Sequence, residues 1–334
     1  MTHILVTGGG GYVGSALVPR LLERGERVTV LDLFWYGEEV LEPHERLRLV
    51  RGDIRDADTV ARSMAGVDAV IHLACISNDP SFELDPTLGK SINLDAFPGL
   101  VDAALSAGVD RFVYASSSSI YGVQDLPDVV EDTPPLPLTD YSRFKLDCER
   151  ILLERCSGKS MASVIVRPAT VCGWAPRMRF DLTVNILTLH ALVNGRIRVF
   201  GGSQLRPNLH IDDMVRAYET LLDTDEALVA GEAFNVGYRN LPVADIAILV
   251  RETLGDRDIE IATEPSDDLR SYHIAATKIA DRLGFLPQST LESAVRGIRD
   301  AFERGGLESG LEESRFHNIR RMRELMGDAR LDCP

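Results

Sequence analysis

Two residues of the segment Tyr141–Lys145 have the types and the spacing of an acid–base pair. Tyr141 and Lys145 are four positions apart, so on a helix they lie one above the other on the same face. A phenol titrates near pH ~10 in water, and a cation beside it favours the phenolate. We therefore expect Lys145 to lower the pKa of Tyr141, which would let the phenol exchange a proton with a sugar or alcohol hydroxyl. The alternative is an amphipathic surface helix that carries one tyrosine and one lysine.

A run of four serines, Ser116–Ser119, precedes this pair in the chain. It follows the apolar segment Arg111–Ala115, which the pattern predicts to be a strand. A serine at the end of that strand would hold the same substrate oxygen that Tyr141 deprotonates.

A glycine-rich loop near the N-terminus predicts the element that binds a cofactor. The apolar segment His3–Thr7 leads into the loop, a helical pattern follows, and a second apolar run ends at Asp32. A dinucleotide site has this order of elements: a strand, a glycine turn, a helix, a second strand and an acidic residue. We assign Gly8 to the tight turn, Gly11 to the close approach of backbone to a diphosphate, and Gly14 to helix–strand packing.

The acid at the end of the second strand predicts which dinucleotide binds. Asp32 is expected to accept hydrogen bonds from ribose hydroxyls and to repel a 2′-phosphate. Leu33 follows it where an arginine would favour the phosphate. The sequence therefore predicts NAD rather than NADP.

Strand and helix patterns alternate through the first half of the chain, with strands predicted at 47–50, 67–74 and 111–115 and a long helix over about 86–107. We predict an α/β fold: a Rossmann-type, doubly wound parallel sheet with ligands at the carboxyl ends of its strands. Asp53 and Ile54 are placed to meet an adenine, with Asp53 equally well placed as a helix N-cap. His72 lies in an apolar strand and is expected to be a core histidine rather than a catalyst.

Composition excludes several classes of function. The net charge of −15 and the pI near 4.9 argue against a nucleic-acid or anionic-membrane surface. The five cysteines show no metal-ligand spacing and predict reduced thiols and no metal site. With no signal peptide before Ile4 and no apolar run near the ~20 residues that a membrane span needs, we expect a cytoplasmic protein without a membrane partner.

These motifs together resemble the extended short-chain dehydrogenase/reductase family, specifically its NAD-dependent sugar epimerase/dehydratase group. The matching segments are T-G-G-G-G-Y-V-G at 7–14, G-D-I at 52–54, H-L-A at 72–74, S-S-S-S-I-Y-G at 116–122, Y-S-R-F-K at 141–145 and R-P-N-L-H-I-D-D at 206–213. The resemblance covers nearly the whole chain, with its motifs in the family order.

The resemblance implies roles for individual residues. Tyr141 is the acid/base, Lys145 also binds the nicotinamide ribose, and Ser117 is the catalytic serine. Asn93 supports the site from a helix, and Arg206 meets the nucleotide diphosphate. The residues assigned to NAD are Gly8, Gly11, Tyr12, Val13, Gly14, Asp32, Asp53, Ile54, Leu73, Ala74, Asn93, Ala115, Tyr141, Lys145 and Pro168. Those assigned to the substrate, a nucleotide-diphosphate sugar, are Ser77, Ser118, Ser119, Arg177, Arg179, Asn185, Arg206 and Arg270.

One departure from the family pattern narrows the activity. The 4,6-dehydratases of the family carry Asp-Glu directly after the catalytic serine or threonine, and this chain has Ser118 and Ser119 there. Dehydration is therefore disfavoured, and hydride chemistry at a sugar carbon remains. We predict a nucleotide-sugar epimerase acting through a 4-keto sugar. The alternatives are a C4 dehydrogenase or 4-ketoreductase with net turnover of NAD, and a non-catalytic NAD-binding module.

The predicted organisation has two parts. Residues 1–168 form the NAD-binding Rossmann domain, with a return strand near 231–237, and residues 169–334 form a smaller lobe that mainly binds the nucleotide sugar. The resemblance also implies a homodimer that pairs through the helices predicted at about 86–107 and 140–156.

Overall fold

The computed structural model describes residues 1–255, 258–266 and 271–327, and its strands and helices alternate through the first half of the chain. The strands are β1 (His3–Thr7), β2 (Arg27–Asp32), β3 (Leu47–Arg51), β4 (Ala69–His72), β5 (Arg111–Ala115), β6 (Ala162–Pro168), β7 (Thr170–Cys172), β8 (Arg196–Phe200), β9 (Leu205–His210), β10 (Glu232–Val236), β11 (Arg239–Pro242) and β12 (Glu260–Glu264). The helices are α1 (Tyr12–Glu23), α2 (Ala57–Ser63), α3 (Asp79–Phe82), α4 (Pro86–Lys90), α5 (Phe97–Ala107), α6 (Asp140–Cys156), α7 (Thr183–Asn194), α8 (Ile211–Asp223), α9 (Glu226–Val229), α10 (Val243–Leu254), α11 (Thr277–Leu283), α12 (Leu291–Glu303) and α13 (Asn318–Gly327).

The central sheet is parallel throughout the described residues, with strand order β10-β6-β5-β4-β1-β2-β3. The order runs outward in both directions from β1 and β4, so crossover helices cover both faces. Successive side chains of a strand point to opposite faces. Accordingly, Ile4 and Val6 pack with α1 on one face, and Leu5 packs with α5 on the other. The predicted α/β fold with a doubly wound parallel sheet is confirmed.

The second half of the chain builds a smaller lobe around its own core. Strands β11, β9 and β7 form one sheet, and β12 pairs with β8. Helices α7, α10 and α12 enclose a third apolar cluster that includes Val199, Ile246 and Val295. Strand β10 leaves this half and pairs in parallel with β6, with Val236 beside Pro168.

The predicted long helix over 86–107 is interrupted. Helix α4 ends at Lys90, a π-helical turn spans Ser91–Asp95, and α5 begins at Phe97. Pro98 lies in the first turn of α5, where it has no N–H to donate and its ring would clash with a carbonyl one turn earlier. A single regular helix through this position is therefore disfavoured.

His72 is a core residue. It is 4% exposed, its Nδ1 lies 2.6 Å from Thr7 Oγ1, and its ring stacks on Tyr114. Phe97 and Phe112 also pack against the ring. Burial, with a smaller contribution from the charge of Lys145, lowers the pKa of His72 to about 3.

This lowered pKa predicts acid sensitivity. Because the unfolded chain takes up a proton at His72 near pH ~6.5 and the folded chain does not, the stabilising contribution is present above that pH and is lost as the pH falls toward 3. We expect the unfolding free energy to fall by roughly 1–2 kcal/mol between pH 6.5 and 5 from this group. The prediction is checked by measuring the unfolding free energy of the wild type and of His72→Asn in urea at several pH values. Equal pH slopes for the two proteins would contradict the assignment.

Within the described residues, no helix combines the length and the apolar character that crossing a membrane requires.

Candidate active site

The glycine loop connects β1 to α1 in a conformation that only glycine adopts readily. Gly8 has φ +75°, and a Cβ there would lie 2.5 Å from Ala74 N; a Cβ at Gly14 would lie 2.5 Å from Gly9 Cα. Gly11 is the N-cap of α1 and provides no side-chain cap. The first N–H groups of α1 therefore face the loop without a side-chain acceptor from the cap residue, which is the usual arrangement for binding a phosphate.

Asp32 ends β2 beside this loop. Its Oδ2 accepts from Gly10 N at 2.9 Å and its Oδ1 accepts from Phe34 N at 2.7 Å. Burial raises the pKa of Asp32, and those two hydrogen bonds oppose the rise. Each carboxylate oxygen keeps a further lone pair for a ribose hydroxyl.

Asp53 does not cap a helix, because Asp56 is the N-cap of α2. The Asp53 carboxylate instead pairs with Arg55 at 2.6 Å and is buried. The N-cap alternative is therefore wrong, and the adenine contact of Asp53 and Ile54 stays a prediction.

Helix α6 places the predicted acid–base pair, Tyr141 and Lys145, at the carboxyl end of β5. Thr139 caps α6 by accepting from Ser142 N, so Tyr141 lies in the first turn and Lys145 one turn later. Lys145 is 5% exposed; its Nζ donates to Ala115 O at 2.7 Å and lies 5.8 Å from the centre of the Tyr141 ring. The Ser117 side chain hydrogen-bonds the Tyr141 hydroxyl.

The expected lowering of the Tyr141 pKa does not occur in this structure. Burial raises the pKa of Tyr141 well above its ordinary value, and electrostatic interactions with Cys75 and Asp79 add to the rise. The charge of Arg179 and the hydrogen bond from Ser117 lower it by less. The desolvation of the phenol outweighs its cationic neighbours, so this structure favours the protonated form of Tyr141.

A chain of hydroxyls connects the catalytic serine candidate to a carboxylate. Ser117 Oγ lies 2.8 Å from Ser119 Oγ, which accepts from Ser142 Oγ at 3.2 Å. Thr139 Oγ1 lies 2.8 Å from Ser142 Oγ and donates to Asp79 Oδ1 at 2.5 Å. Ser119 is therefore engaged by neighbouring hydroxyls.

A buried ion pair supports the serine run from behind. Glu149 on α6 accepts from Arg167 at 2.7 and 3.0 Å and from Ser116 Oγ at 2.5 Å. Arg167 also donates to Tyr121 OH at 2.8 Å. The pair fixes α6 and β6 relative to the end of β5.

One cavity of about 540 Å³ connects these groups. It runs from the glycine loop past the serines and Tyr141 to the second lobe. Its lining includes all residues assigned to NAD except Asn93, and these are Gly8, Gly11, Tyr12, Val13, Gly14, Asp32, Asp53, Ile54, Leu73, Ala74, Ala115, Tyr141, Lys145 and Pro168. It also includes Ser77, Ser117, Ser118, Ser119, Arg177, Arg179 and Arg206.

Two assigned residues lie outside this lining. Asn93 is buried and clamps the backbone of Ile76, accepting from its N–H at 2.8 Å and donating to its carbonyl at 2.9 Å. It supports the loop after β4 and does not contact the cavity. Asn185 is fully buried and bonds Gly173 N and Arg179 O, so in this structure it does not reach the cavity, and its assignment to the substrate stays a prediction. Arg270 lies outside the described residues.

Two buried arginines face the cavity from the segment after β7. Arg177 is 4% exposed and Arg179 is 9% exposed. Arg177 Nε, Arg179 Nε and Arg179 Nη2 have no hydrogen-bond partner within the described part of the chain. Arg179 makes an ion pair with Asp181 at 3.5 Å. Buried cationic donors without acceptors are expected where an anion binds.

Sequence reasoning missed several lining residues. Tyr36 and Trp35 come from the loop after β2, Asp79 from α3, and Asn318 and Met322 from α13. Asn318 lies in a charged, helical stretch with no local motif, so only the tertiary structure reveals it.

Comparisons with known proteins identify the family of this chain. The sequence model of the "NAD dependent epimerase/dehydratase family" matches residues 4–237. A dTDP-glucose 4,6-dehydratase of Streptomyces griseus is 32% identical, over 88% of this chain and 92% of that protein. A UDP-glucose 4-epimerase of Corynebacterium glutamicum is 28% identical, over 86% and 91%. The crystal structure of a Bacillus cereus UDP-glucuronic acid 4-epimerase with UDP-glucuronic acid and NAD superimposes with a TM-score of 0.81 at 25% identity, over 91% and 99%.

Proposed function

The chain belongs to the NAD-dependent epimerase/dehydratase family, and from this premise we propose that it is a nucleotide-sugar epimerase acting through a transient 4-keto sugar. The family includes both epimerases and dehydratases, and this chain resembles named members of each. The assignment to epimerisation therefore rests on the residues of the site.

The described residues fit NAD. The uncapped start of α1 suits a diphosphate, and Asp32 offers acceptors to ribose hydroxyls beside it. Lys145 Nζ lies at the end of β5 against the cavity, where it can reach a second ribose. When bound there, NAD supplies a hydride acceptor that returns the hydride in a later step.

Three side chains of the chain handle the sugar hydroxyl. Ser117 holds the oxygen, Tyr141 exchanges its proton with it, and Lys145 stabilises the phenolate that forms. Tyr141 must pass between acid and base within one turnover. Burial, with Cys75 and Asp79, raises its pKa, and Arg179 and Ser117 oppose the rise. These groups orient the substrate and move a proton; the redox step belongs to the cofactor.

The observation that carries the proposal is the absence of an acid beside the catalytic serine. Elimination of water requires a proton donor to the leaving hydroxyl, and positions 118 and 119 provide only hydroxyls. The carboxylates that line the cavity are engaged elsewhere: Asp32 by backbone, Asp53 by Arg55, Asp79 by Thr139 and Asp181 by Asn318. Hydride removal and return remain as the chemistry that this set supports.

The test follows stereochemistry and cofactor together. The purified protein is incubated with UDP-glucose, UDP-glucuronic acid and dTDP-glucose without external NAD, and products are followed by NMR and by absorbance at 340 nm. We expect inversion at C4 of one of these sugars with no lasting signal at 340 nm. A stoichiometric rise in absorbance at 340 nm, with further turnover only when fresh NAD⁺ is added, would indicate a dehydrogenase instead. A 4-keto-6-deoxy product would indicate a dehydratase.

We also propose that the enzyme acts as a homodimer in the cytoplasm. Helices α5 and α6 pack side by side, joined by an ion pair between Asp102 and Arg155, and Leu153 of α6 is exposed. The four described cysteines are all free thiols, which suits a reducing compartment. Light scattering that shows a monomer at all micromolar concentrations would contradict the dimer.

A further inference from the structure

The C-terminal helix α13 begins against the cavity. Its first residue, Asn318, is 4% exposed and makes three hydrogen bonds to parts of the chain far away in sequence. Asn318 N donates to Asp181 Oδ2 at 2.7 Å, and Nδ2 donates to Ser77 Oγ at 2.8 Å. Its Oδ1 accepts from Arg177 Nη2 at 2.5 Å. The asparagine therefore joins the loop after β4 to the segment after β7.

Arg177 lies beside the start of α1. Its backbone N donates to Ser15 Oγ at 3.1 Å, which places the residue against the first turns of that helix. The guanidinium carbon stacks 3.7 Å from the centre of the Tyr36 ring, in the loop that follows Asp32. The guanidinium is thus held from one side by the Tyr36 ring and from another by Asn318, and its Nε has no acceptor among the residues that the structure describes.

We propose that Arg177 binds the diphosphate of the dinucleotide cofactor, and that Asn318 positions it, so that α13 is part of the cofactor site. The uncapped N-terminus of α1 marks where the diphosphate lies, and Asp32 marks where the adenosine ribose lies. Arg177 is the buried cation next to both. The proposal rests on the NAD dependence of the proposed function and does not depend on its epimerisation step.

The charge distribution favours this assignment over a substrate contact. The guanidinium is close enough to Asp32 to oppose the rise in that carboxyl's pKa, whereas Arg179 acts at Tyr141. Arg177 would therefore serve the cofactor, and Arg179 the sugar end of the cavity. This proposal differs from the sequence-based assignment of Arg177 to the substrate. Asn318 lies outside residues 4–237 that the family model matches, so the contact comes from a part of the chain that this model does not include.

The first experiment measures cofactor affinity without turnover. The cofactor is removed from wild type, Arg177→Met and Arg177→Lys, and the Kd values of NAD⁺ and ADP-ribose are determined by calorimetry. Loss of a charge-assisted contact predicts Kd values raised roughly 10- to 100-fold for both ligands in Arg177→Met. Arg177→Lys keeps the charge but loses the planar guanidinium, so we expect its Kd values to lie between those of the wild type and those of Arg177→Met. It also serves as the test if Arg177→Met does not fold.

A matched control separates this effect from a general loss of positive charge. Arg196 is exposed, pairs with Glu260 and does not line the cavity, so Arg196→Met should change the NAD⁺ affinity by less than about 2-fold. An unchanged NAD⁺ affinity in both Arg177 variants would overturn the proposal.

The second experiment tests the positioning role of Asn318. We expect Asn318→Ala to raise the Kd of NAD⁺ roughly 3- to 10-fold on its own and to have no further effect when combined with Arg177→Met. If Asn318 had a merely structural role, Asn318→Ala would lower the thermal midpoint and weaken NAD⁺ binding by the same factor in the wild type and in Arg177→Met. That result would overturn the positioning role. If wild type loaded with NAD epimerises no sugar while the affinity pattern holds, the proposed function fails and this inference stands.

Discussion

Replacing Tyr141 by phenylalanine is expected to lower kcat by roughly 10²- to 10⁴-fold, because it removes the phenolic hydroxyl that exchanges a proton with the sugar hydroxyl. The phenyl ring keeps the packing of the first turn of α6, so the bound NAD and the thermal midpoint should stay at the wild-type values. Turnover is measured as C4 inversion by NMR, and NAD content by absorbance after acid release.

Tyr238 supplies the control for this variant. It is 41% exposed and does not line the cavity, so Tyr238→Phe should leave turnover unchanged. If Tyr141→Phe turns over at the wild-type rate, the acid–base role is wrong. A non-catalytic NAD-binding module would instead show no turnover in either protein, and Tyr141→Phe would bind NAD as the wild type does.

Replacing Arg167 by methionine is expected to lower the unfolding free energy by about 3–5 kcal/mol, because it leaves Glu149 buried without its counter-ion. Glu149 is 3% exposed and, among the described residues, would retain only the hydrogen bond from Ser116. The loss should appear as a large fall in the urea midpoint, measured on protein with and without added NAD⁺.

The exposed ion pair between Arg155 and Asp102 provides the comparison. Because both side chains are well exposed, Arg155→Met should cost no more than about 1 kcal/mol. Equal midpoints for Arg167→Met and Arg155→Met would show that the buried pair contributes no more than a surface pair. The double variant Arg167→Met/Glu149→Gln should recover part of the loss, since it removes the unpaired charge.

The parts of the site that could be predicted from sequence are those where local geometry requires a residue type. The positive φ at Gly8 and the close helix–strand approach at Gly14 require glycine, and the acid at Asp32 follows from the end of β2. Tyr141 and Lys145 share a helix face because of their spacing alone. Parallel strands bring their carboxyl ends to one edge of the sheet, so these separate motifs meet in one cavity.

The parts that could not be predicted depend on tertiary contacts. Asn318 reaches the cavity only because α13 packs beside Ser77, and no pattern near position 318 marks it. The pKa of Tyr141 rises because of burial, which spacing along a helix does not reveal. The sequence predicts that Asn185 contacts the substrate, but in the structure its side-chain amide hydrogen-bonds Gly173 N and Arg179 O.

Strand β10 has a consequence for how the protein reaches its folded state. It is the outermost strand beside β6, yet it comes from residue 232 onward, about 64 positions after β6 ends. Until it docks, β6 presents unpaired N–H and C=O groups along an apolar edge, which is a template for pairing with another chain. A fragment ending near residue 168 would keep that edge open permanently and tend to aggregate. The closing contact is distant in sequence, so we expect it to form late and to leave newly made chains able to pair with one another until it does.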